Sequence, residues 1–253
     1  MWKLLRASVP GSSHAKAGTQ CQDSHAGTAT KPHGEHFLVV ACADGAGSAA
    51  RSEEGAAAAT AGFVSAACGF LDAQADLTRE SLVDCFRAAR KSVEERAAKL
   101  DVPARELACT LLAAIVGEKE AWFAQVGDGL IVVRGGVRGN EEYLPVFWPR
   151  VGDYLNDSDF LTDDTYEKQL QFAQRPAPRE LALSTDGLQM LMANISARTI
   201  HQGFFSPIFS QLKQAQEPDE LLVPLREFLS SAAVNERTDD DKTLLLALRD
   251  GLR

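Results

Sequence analysis

The sequence lacks the excess of positive charge that proteins carry when their main partner is nucleic acid or an anionic membrane. Its 253 residues contain 26 Lys and Arg against 35 Asp and Glu, which gives a formal net charge of −9. We therefore expect neither nucleic acid nor a membrane as a partner. A phosphorylated substrate is still compatible with this charge, because bound cations could mediate its binding.

Cysteine is also scarce, and it never occurs as a CxxC pair. The 5 cysteines are odd in number, and several lie in apolar or alanine-rich segments: Cys21, Cys42, Cys68, Cys85 and Cys109. This pattern favours reduced thiols in a cytosolic protein over disulfides. Met1–Pro10 has too few apolar residues for a signal peptide, and no segment approaches membrane-spanning length. We therefore expect a cytoplasmic protein.

Several common motifs are missing, and each absence argues against a class of protein. No GxxxxGK[ST] phosphate loop is present, which argues against a kinase or a P-loop ATPase. Asp44 and Asp153 do not begin calcium loops, because neither is followed by the required glycine and closing glutamate. Asp239–Thr243 fits the DxDxT pattern of aspartyl-phosphate phosphatases, but "VNERT" precedes it instead of an apolar strand, and too few residues follow for a further domain.

The apolar pattern predicts helices and strands in an order that does not alternate. Residues 1–35 show little periodicity, and a strand follows from His36. Two helices are predicted, over Ser52–Ala73 and about Thr78–Leu100. Residues 107–137 then predict three strands as an antiparallel meander, with turns at 117–119 and 127–129.

The second half predicts further strands and a mostly helical segment. Strands are predicted at 141–147, in "RELALSTDGL" and at the end of the chain, and 190–232 is mostly helical with breaks at Gly203, Pro207 and Pro218. Strict strand–helix alternation, which would predict a parallel sheet, is missing, so we expect an α+β fold with antiparallel sheets. Without a low-complexity linker or an internal repeat, residues 1–253 are predicted to form one domain.

Four aspartates share one local pattern, because each lies at the end or start of an apolar strand beside glycine, serine or threonine. They are Asp44 in "ACADGAGS", Asp128 in "QVGDGLIVV", Asp186 in "LALSTDGL" and Asp240 in "RTDDDKTLLLAL". Strand ends are rigid, so carboxylates there can converge on a metal ion, and oxygen ligands select Mg²⁺ or Mn²⁺ over Zn²⁺. Asp-Gly is also a common turn signal, and any one of these aspartates alone is more often a turn residue than a ligand.

The sequence resembles the metal-dependent protein phosphatases of the PP2C (PPM) type. The segments that carry this resemblance are "CQDSH", "ACADGAGS", "CTLLAAIVGEKEAWFAQVGDGLIVV", "LALSTDGL" and "DDDKTLLLA", in the order and near the spacing of that family. They cover nearly the whole chain and are most similar to compact bacterial members that begin with a CQD-like motif. The resemblance implies a sandwich of two antiparallel sheets flanked by helix pairs, in agreement with the α+β prediction.

The resemblance also implies a role for each aspartate. Asp44 would bridge two metal ions, Mn²⁺ or Mg²⁺, and Gly45 would give its backbone carbonyl to one of them. Asp186 and Asp240 would complete the shell of the other ion. Asp23 would hold metal-bound water, and Asp128 would match the aspartate that bacterial relatives use for a third metal.

The implied reaction is hydrolysis of phosphoserine and phosphothreonine on proteins. Two cations about 4 Å apart can share a water and lower its pKa, so that a metal-bridging hydroxide attacks phosphorus. The expected protein is therefore a bacterial hydrolase of signalling pathways, whose partners are a phosphorylated protein and a cognate Ser/Thr kinase. The alternative is a catalytically weak PP2C-like module that binds a phosphoprotein or a kinase without turnover.

Some positions depart from the family pattern. Many members carry a phosphate-binding arginine five residues before the first-motif aspartate, but this chain has Gly18 there. His14 and Arg51 are the candidates for substrate binding in its place, with Lys16 as a further option, although an exposed loop histidine more often has no such role. Gln22 replaces an acidic residue of the family. Residues 152–164 fall where the family has its mobile flap, and we expect a substrate-gating loop there, with a solvated acidic loop as the alternative.

Overall fold

The computed structural model describes residues 1–137, 140–149 and 159–250. The chain divides into two compact units. The terminal unit comprises Met1–Cys21, Gly129–Pro149 and Pro178–Arg253, and the central unit comprises Gln22–Asp128 and Arg150–Ala177. The assignment of residues 1–253 to a single phosphatase domain stays a prediction, and each unit is described by itself below.

The central unit contains a five-stranded antiparallel sheet and a long helix pair. Its elements are β2 (Ser24–Thr30), β3 (Phe37–Ala43), α2 (Ser52–Asp72), α3 (Arg79–Leu100), β4 (Leu111–Val116), β5 (Glu120–Val126), α4 (Tyr166–Gln169) and β8 (Gln171–Pro176). The strand order is β2-β3-β4-β5-β8, and every neighbouring pair is antiparallel. The positions predicted for α2, α3, β4 and β5 are confirmed.

The helices α2 and α3 pack closely because α2 presents small residues to its neighbour. A side chain at Gly62 would approach the Ser92 hydroxyl to 2.4 Å, so the glycine permits this close approach. Phe63 and Phe86 meet edge to face, with ring centroids 5.5 Å apart, in the core of the unit. The apolar face of α2 is therefore buried against both the sheet and α3.

The sequence predicted no segment of membrane-spanning length, and α2 shows that this prediction is wrong as regards length and composition. Its 21 residues are long and apolar enough to cross a membrane by length and composition. Alanines account for much of this apolar character, and those on its inner face, with Phe63, belong to the buried core of the central unit. Core helices pass the same test of length and composition.

The terminal unit contains a second five-stranded antiparallel sheet, with shorter helices. Its elements are β1 (Trp2–Val9), α1 (Ser12–Ala17), β6 (Leu130–Val137), β7 (Asn140–Pro145), β9 (Glu180–Ser184), α5 (Gln189–Met192), β10 (Ala193–Asn194), β11 (Thr199–Ile200), α6 (Gln202–Gln214), α7 (Leu222–Leu229), α8 (Ala232–Asn235) and β12 (Lys242–Arg249). The strand order of the large sheet is β1-β12-β9-β6-β7. Every residue of β12 is buried, in agreement with its central position.

Residues 1–35, which show little periodicity in the sequence, contain β1, α1 and β2. Two sequence expectations about the elements are wrong. The predicted meander is broken, because β5 pairs with β4 and β8 whereas β6 pairs with β7 and β9 in the other sheet. Gly203 and Pro207 lie inside α6 and do not interrupt it.

The two antiparallel sheets and their helices confirm the α+β class. They also place the end of β3 and the start of β4 side by side in the central unit, and the end of β9 next to the start of β12 in the terminal unit. Asp44 follows the end of β3, and Asp186 and Asp240 lie at the end of β9 and before β12.

Candidate metal centre

Asp44 follows the last residue of β3, and its backbone is fixed by Thr110. The Asp44 N–H donates to the Thr110 hydroxyl at 2.9 Å, and the Thr110 N–H donates to the Asp44 carbonyl at 2.8 Å. Gly45 continues the pairing through an antiparallel bridge to Cys109. The carboxylate therefore stands on a hydrogen-bonded strand end, as predicted.

Gly45 is required by its surroundings. A Cβ atom there would lie 2.7 Å from the Gln22 carbonyl oxygen and 2.8 Å from the Ser52 side chain. The loop before β2 therefore runs directly past Gly45, and Ser24 pairs with Ala43 one residue before Asp44. Asp23, which directly precedes Ser24, is only 8% exposed, and its role in holding metal-bound water stays a prediction.

The cysteines near Asp44 are unsuited to act as nucleophiles. Burial, assisted by the charge of Asp44, raises the pKa of the Cys109 thiol to about 12. Burial also raises the pKa of Cys42 well above its usual range, and the charges of Asp23 and Asp44 add to that shift. Both thiols therefore stay protonated at neutral pH.

Asp128 follows Gly127 at the end of β5, in the same unit. Gly127 has φ +107°, and a Cβ atom there would lie 2.5 Å from the methyl group of Thr110. The Gln125 side chain donates to the Gly127 carbonyl at 3.0 Å, which fixes the backbone before Asp128. The structure therefore attaches the loops of Asp44 and Asp128 to one residue, Thr110.

Asp186 begins a short 3₁₀ turn directly after β9 in the terminal unit. A Cβ atom at Gly187 would lie 1.9 Å from the Asp241 carbonyl oxygen, so the two segments are in close backbone contact. The Thr185 hydroxyl accepts from the Thr243 N–H at 3.1 Å and joins the same two strands. Asp186 and Asp240 are thereby held on neighbouring strand ends, and their role as metal ligands stays a prediction.

Asp240 is an exposed residue, but its carboxylate is partly shielded from water by neighbouring groups. This desolvation raises its pKa; the Asp241 N–H, which donates to Asp240 Oδ1 at 2.8 Å, opposes the shift. The charges of Asp241 and Asp239 raise the pKa further. A cation placed here would offset this accumulation of negative charge.

His14 lies in α1 and contacts a carboxylate that the sequence analysis did not single out. Its Nδ1 atom is 2.8 Å from Asp241 Oδ1, and the Gly11 N–H donates to the same oxygen at 2.6 Å. Asp241 is only 2% exposed. Its position in "DDDKT" was the available signal, but the partner residues are more than 200 positions away in sequence.

The remaining predicted positions are less defined. Arg51 precedes α2, its N–H donates to the Glu106 carbonyl at 2.8 Å, and its side chain is exposed. Gly18 ends α1 with φ +70° in open space. The roles of His14 and Arg51 in substrate binding stay predictions.

The predicted gating loop falls partly outside the described residues, which resume at 159. In the described part, the Leu161 N–H donates to the Cys109 carbonyl at 2.8 Å. Phe160 packs against Ala46, Ala49 and Ala108. The end of this loop is therefore attached to the turn that follows Asp44, and gating stays a prediction.

The donors at these strand ends fit a hard divalent cation. Asp23, Asp44 and Asp128 in the central unit, and Asp186 and Asp240 in the terminal unit, offer only oxygen atoms. Gly45 and Gly187 leave no room for side chains, because the Gln22 and Asp241 carbonyl oxygens lie close to these two glycines. Over the described ranges, no three His, Cys, Asp or Glu side chains form a ready cluster that could hold a metal.

Comparisons with known proteins identify the family. A model of the family described as protein phosphatase 2C matches residues 10–230. The chain is 36% identical over 259 residues to the Serine/threonine-protein phosphatase 3 of Escherichia coli (strain K12), with 98% of each chain covered. The chain belongs to the protein phosphatase 2C family.

Solved structures agree with this assignment at the level of the fold. The crystal structure of a bacterial serine phosphatase superposes with a TM-score of 0.61 at 15% identity and covers 100% of both chains. The catalytic domain of the serine/threonine protein phosphatase PstP, crystallised with 2 manganese ions, gives a TM-score of 0.57 at 16% identity over 98% of this chain and 97% of that one. The expected PP2C fold is confirmed.

Proposed function

We propose that this protein removes phosphate from phosphoserine and phosphothreonine in proteins, with bound Mn²⁺ or Mg²⁺. The observation that carries the proposal is the match along nearly the whole chain to a serine/threonine-protein phosphatase, at 36% identity. Membership of the protein phosphatase 2C family supports metal dependence, and the related fold of PstP was crystallised with manganese. The alternative of a binding module without turnover is not favoured.

The oxygen ligands proposed for the metal ions are those named from the sequence. In the central unit, Asp44 and the Gly45 carbonyl would be metal ligands, Asp23 would hold water and Asp128 would serve a third ion. In the terminal unit, Asp186 and Asp240 would be metal ligands. When bound, divalent cations lower the pKa of water and neutralise charge on phosphoryl oxygens.

Hydrogen bonds of neighbouring residues fix the segments that carry these aspartates. Thr110 fixes the backbone of Asp44 in the central unit, and Thr185 joins the strands that carry Asp186 and Asp240 in the terminal unit. Because its Nδ1 faces Asp241, His14 has Nε2 available to contact a phosphate or to hold a proton. Arg51 is the second proposed substrate contact.

We propose a cytoplasmic protein that acts on phosphoproteins and has a Ser/Thr kinase as a functional counterpart. The five cysteines all lie within the described residues and carry free thiols, which supports a reducing compartment. The net charge of −9 supports the proposal that neither nucleic acid nor a membrane is the main partner.

Release of phosphate from phosphoserine and phosphothreonine peptides tests this function. We expect turnover with Mn²⁺ or Mg²⁺, loss of turnover with EDTA, and recovery when the metal is restored. Asp44→Asn should lower kcat at least 100-fold, whereas Asp76→Asn, an exposed site on the loop before α3, should leave it within about twofold. Turnover that persists in EDTA and in the Asp44→Asn variant would contradict the proposal.

A further inference from the structure

We propose that Thr110 is a positioning residue, which sets the metal affinity of the central unit by holding Asp44 and the loop of Asp128 in one arrangement. This inference rests on the proposed function for the identity of the ligands, but its test measures metal binding itself. All of its contacts lie within the central unit.

The hydroxyl of Thr110 completes a hydrogen-bonded pair that the backbone alone could not form. Its N–H donates to the Asp44 carbonyl at 2.8 Å, and its Oγ1 accepts from the Asp44 N–H at 2.9 Å. Both polar groups of the Asp44 backbone are therefore held by one residue. A carboxylate whose backbone is fixed in this way has few orientations open to it, which favours metal binding.

The methyl group of Thr110 has a separate contact. A Cβ atom at Gly127 would lie 2.5 Å from Thr110 Cγ2 and 2.6 Å from its Cβ, so the threonine side chain packs directly on the Gly127 backbone. Gly127 has φ +107° and precedes Asp128. The methyl group thus limits where the backbone before Asp128 can lie.

The position of Thr110 is itself well fixed. The residue is 3% exposed, its neighbour Cys109 bridges to Gly45, and the Cys109 carbonyl accepts from the Leu161 N–H at 2.8 Å. Thr110 then leads directly into β4, whose residues are all buried. The contacts of Cys109 on one side and the buried strand β4 on the other therefore fix the backbone of Thr110. Its side chain can in turn fix the loops of Asp44 and Asp128.

Threonine is the residue type that makes both contacts at once. Valine would keep the methyl group and the shape but would leave the Asp44 N–H without its acceptor. Serine would keep the acceptor but would lose the methyl group against Gly127. The two substitutions therefore separate the two contacts.

Calorimetric titration of the full-length protein with Mn²⁺ tests the inference. For Thr110→Val we expect a dissociation constant raised about 10- to 100-fold, the usual effect of removing a group that orients a metal ligand. Thr110→Ser should stay within about threefold of the wild type for the tightest binding, because the oxygen is retained. The melting temperature without metal, and the fold by circular dichroism, show that each variant is folded.

A wild-type Mn²⁺ affinity in Thr110→Val would overturn the inference. Equal weakening of the tightest binding by Thr110→Ser would also overturn it, because loss of the hydrogen bond to Asp44 would then not explain the effect of Thr110→Val. If the wild type binds Mn²⁺ but hydrolyses no phosphopeptide, the proposed function fails, whereas a selective loss in Thr110→Val still supports the positioning role.

Discussion

At the scale of single residues, two glycines beside candidate ligands have no room for a side chain. Gly45 faces the Gln22 carbonyl and Ser52, and Gly187 faces the Asp241 carbonyl at a distance that no Cβ atom could occupy. Each of these glycines directly follows a candidate aspartate. The Asp44-Gly45 and Asp186-Gly187 pairs are thus places of close backbone contact as well as turns.

Gly187→Ala should therefore destabilise the protein. The new Cβ atom would lie 1.9 Å from the Asp241 carbonyl oxygen, so β9 and β12 would have to move apart at their ends. We expect a loss of about 1–3 kcal/mol in the free energy of unfolding, measured in urea. Gly203→Ala is the control, because nothing lies within 4 Å of that position in α6. Equal stability of the two variants would contradict this description of the strand ends.

The sequence indicated some of these residues and missed others, for a physical reason. Asp44, Asp128, Asp186 and Asp240 were recognisable because strand periodicity and glycine are local signals. Thr110 and Asp241 were missed because their partners are distant, with 66 positions separating Thr110 from Asp44 and 230 separating Asp241 from Gly11. Hydrogen bonds over such separations follow from the register of the strands, which no local pattern specifies.

At the scale of elements, long periodic segments were predictable and strand partners were not. Thr78 and Ser81 form a reciprocal capping box at the start of α3, and the helix extends to Leu100 as expected. The turn after β5 resembles any hairpin turn in sequence, yet β6 joins the other sheet. A glycine-rich turn in the sequence shows where a strand ends. When the residues of a strand are apolar on both faces, the sequence pattern does not show which strand it pairs with.

At this scale, α3 also contacts the described end of the predicted gating loop and the helix α4 that follows it. The Arg90 guanidinium donates to the carbonyls of Leu161 and Asp163, and it lies 5.2 Å from the ring centroid of Tyr166. Its side chain is 20% exposed, whereas that of Arg87, one turn earlier, is 51% exposed and pairs with Glu167 and Asp84.

Arg90→Ala should destabilise the central unit more than Arg87→Ala. The first substitution leaves two part-buried carbonyls without their donor and removes the contact with Tyr166, at a cost of about 1–3 kcal/mol. The second removes exposed ion pairs, which contribute little because solvent and salt screen them. Urea unfolding of both variants measures the difference. If Arg87→Ala had the larger effect, this segment would not depend on Arg90.

At the scale of the whole molecule, an acidic chain would repel a phosphorylated substrate, and bound metal ions would remove this repulsion. The chain has a net charge of −9, and its candidate ligands add carboxylates to strand ends where Asp240 already has a raised pKa. Divalent cations would relieve this repulsion and would attract a phosphoryl group. A mechanism that used only a cysteine nucleophile or acid–base residues would not account for the oxygen-only donors. It would also not agree with membership of the protein phosphatase 2C family.

The most direct test of this account is the stoichiometry and affinity of Mn²⁺ binding, measured by calorimetry on the wild type, Asp44→Asn and Asp186→Asn. We predict that the wild type binds at least two ions, and that each substitution removes an ion or raises its dissociation constant about 10-fold or more. The same preparations should lose phosphopeptide hydrolysis in parallel. Unchanged Mn²⁺ binding in both variants would contradict the assignment of these carboxylates as metal ligands, and with it the central claim.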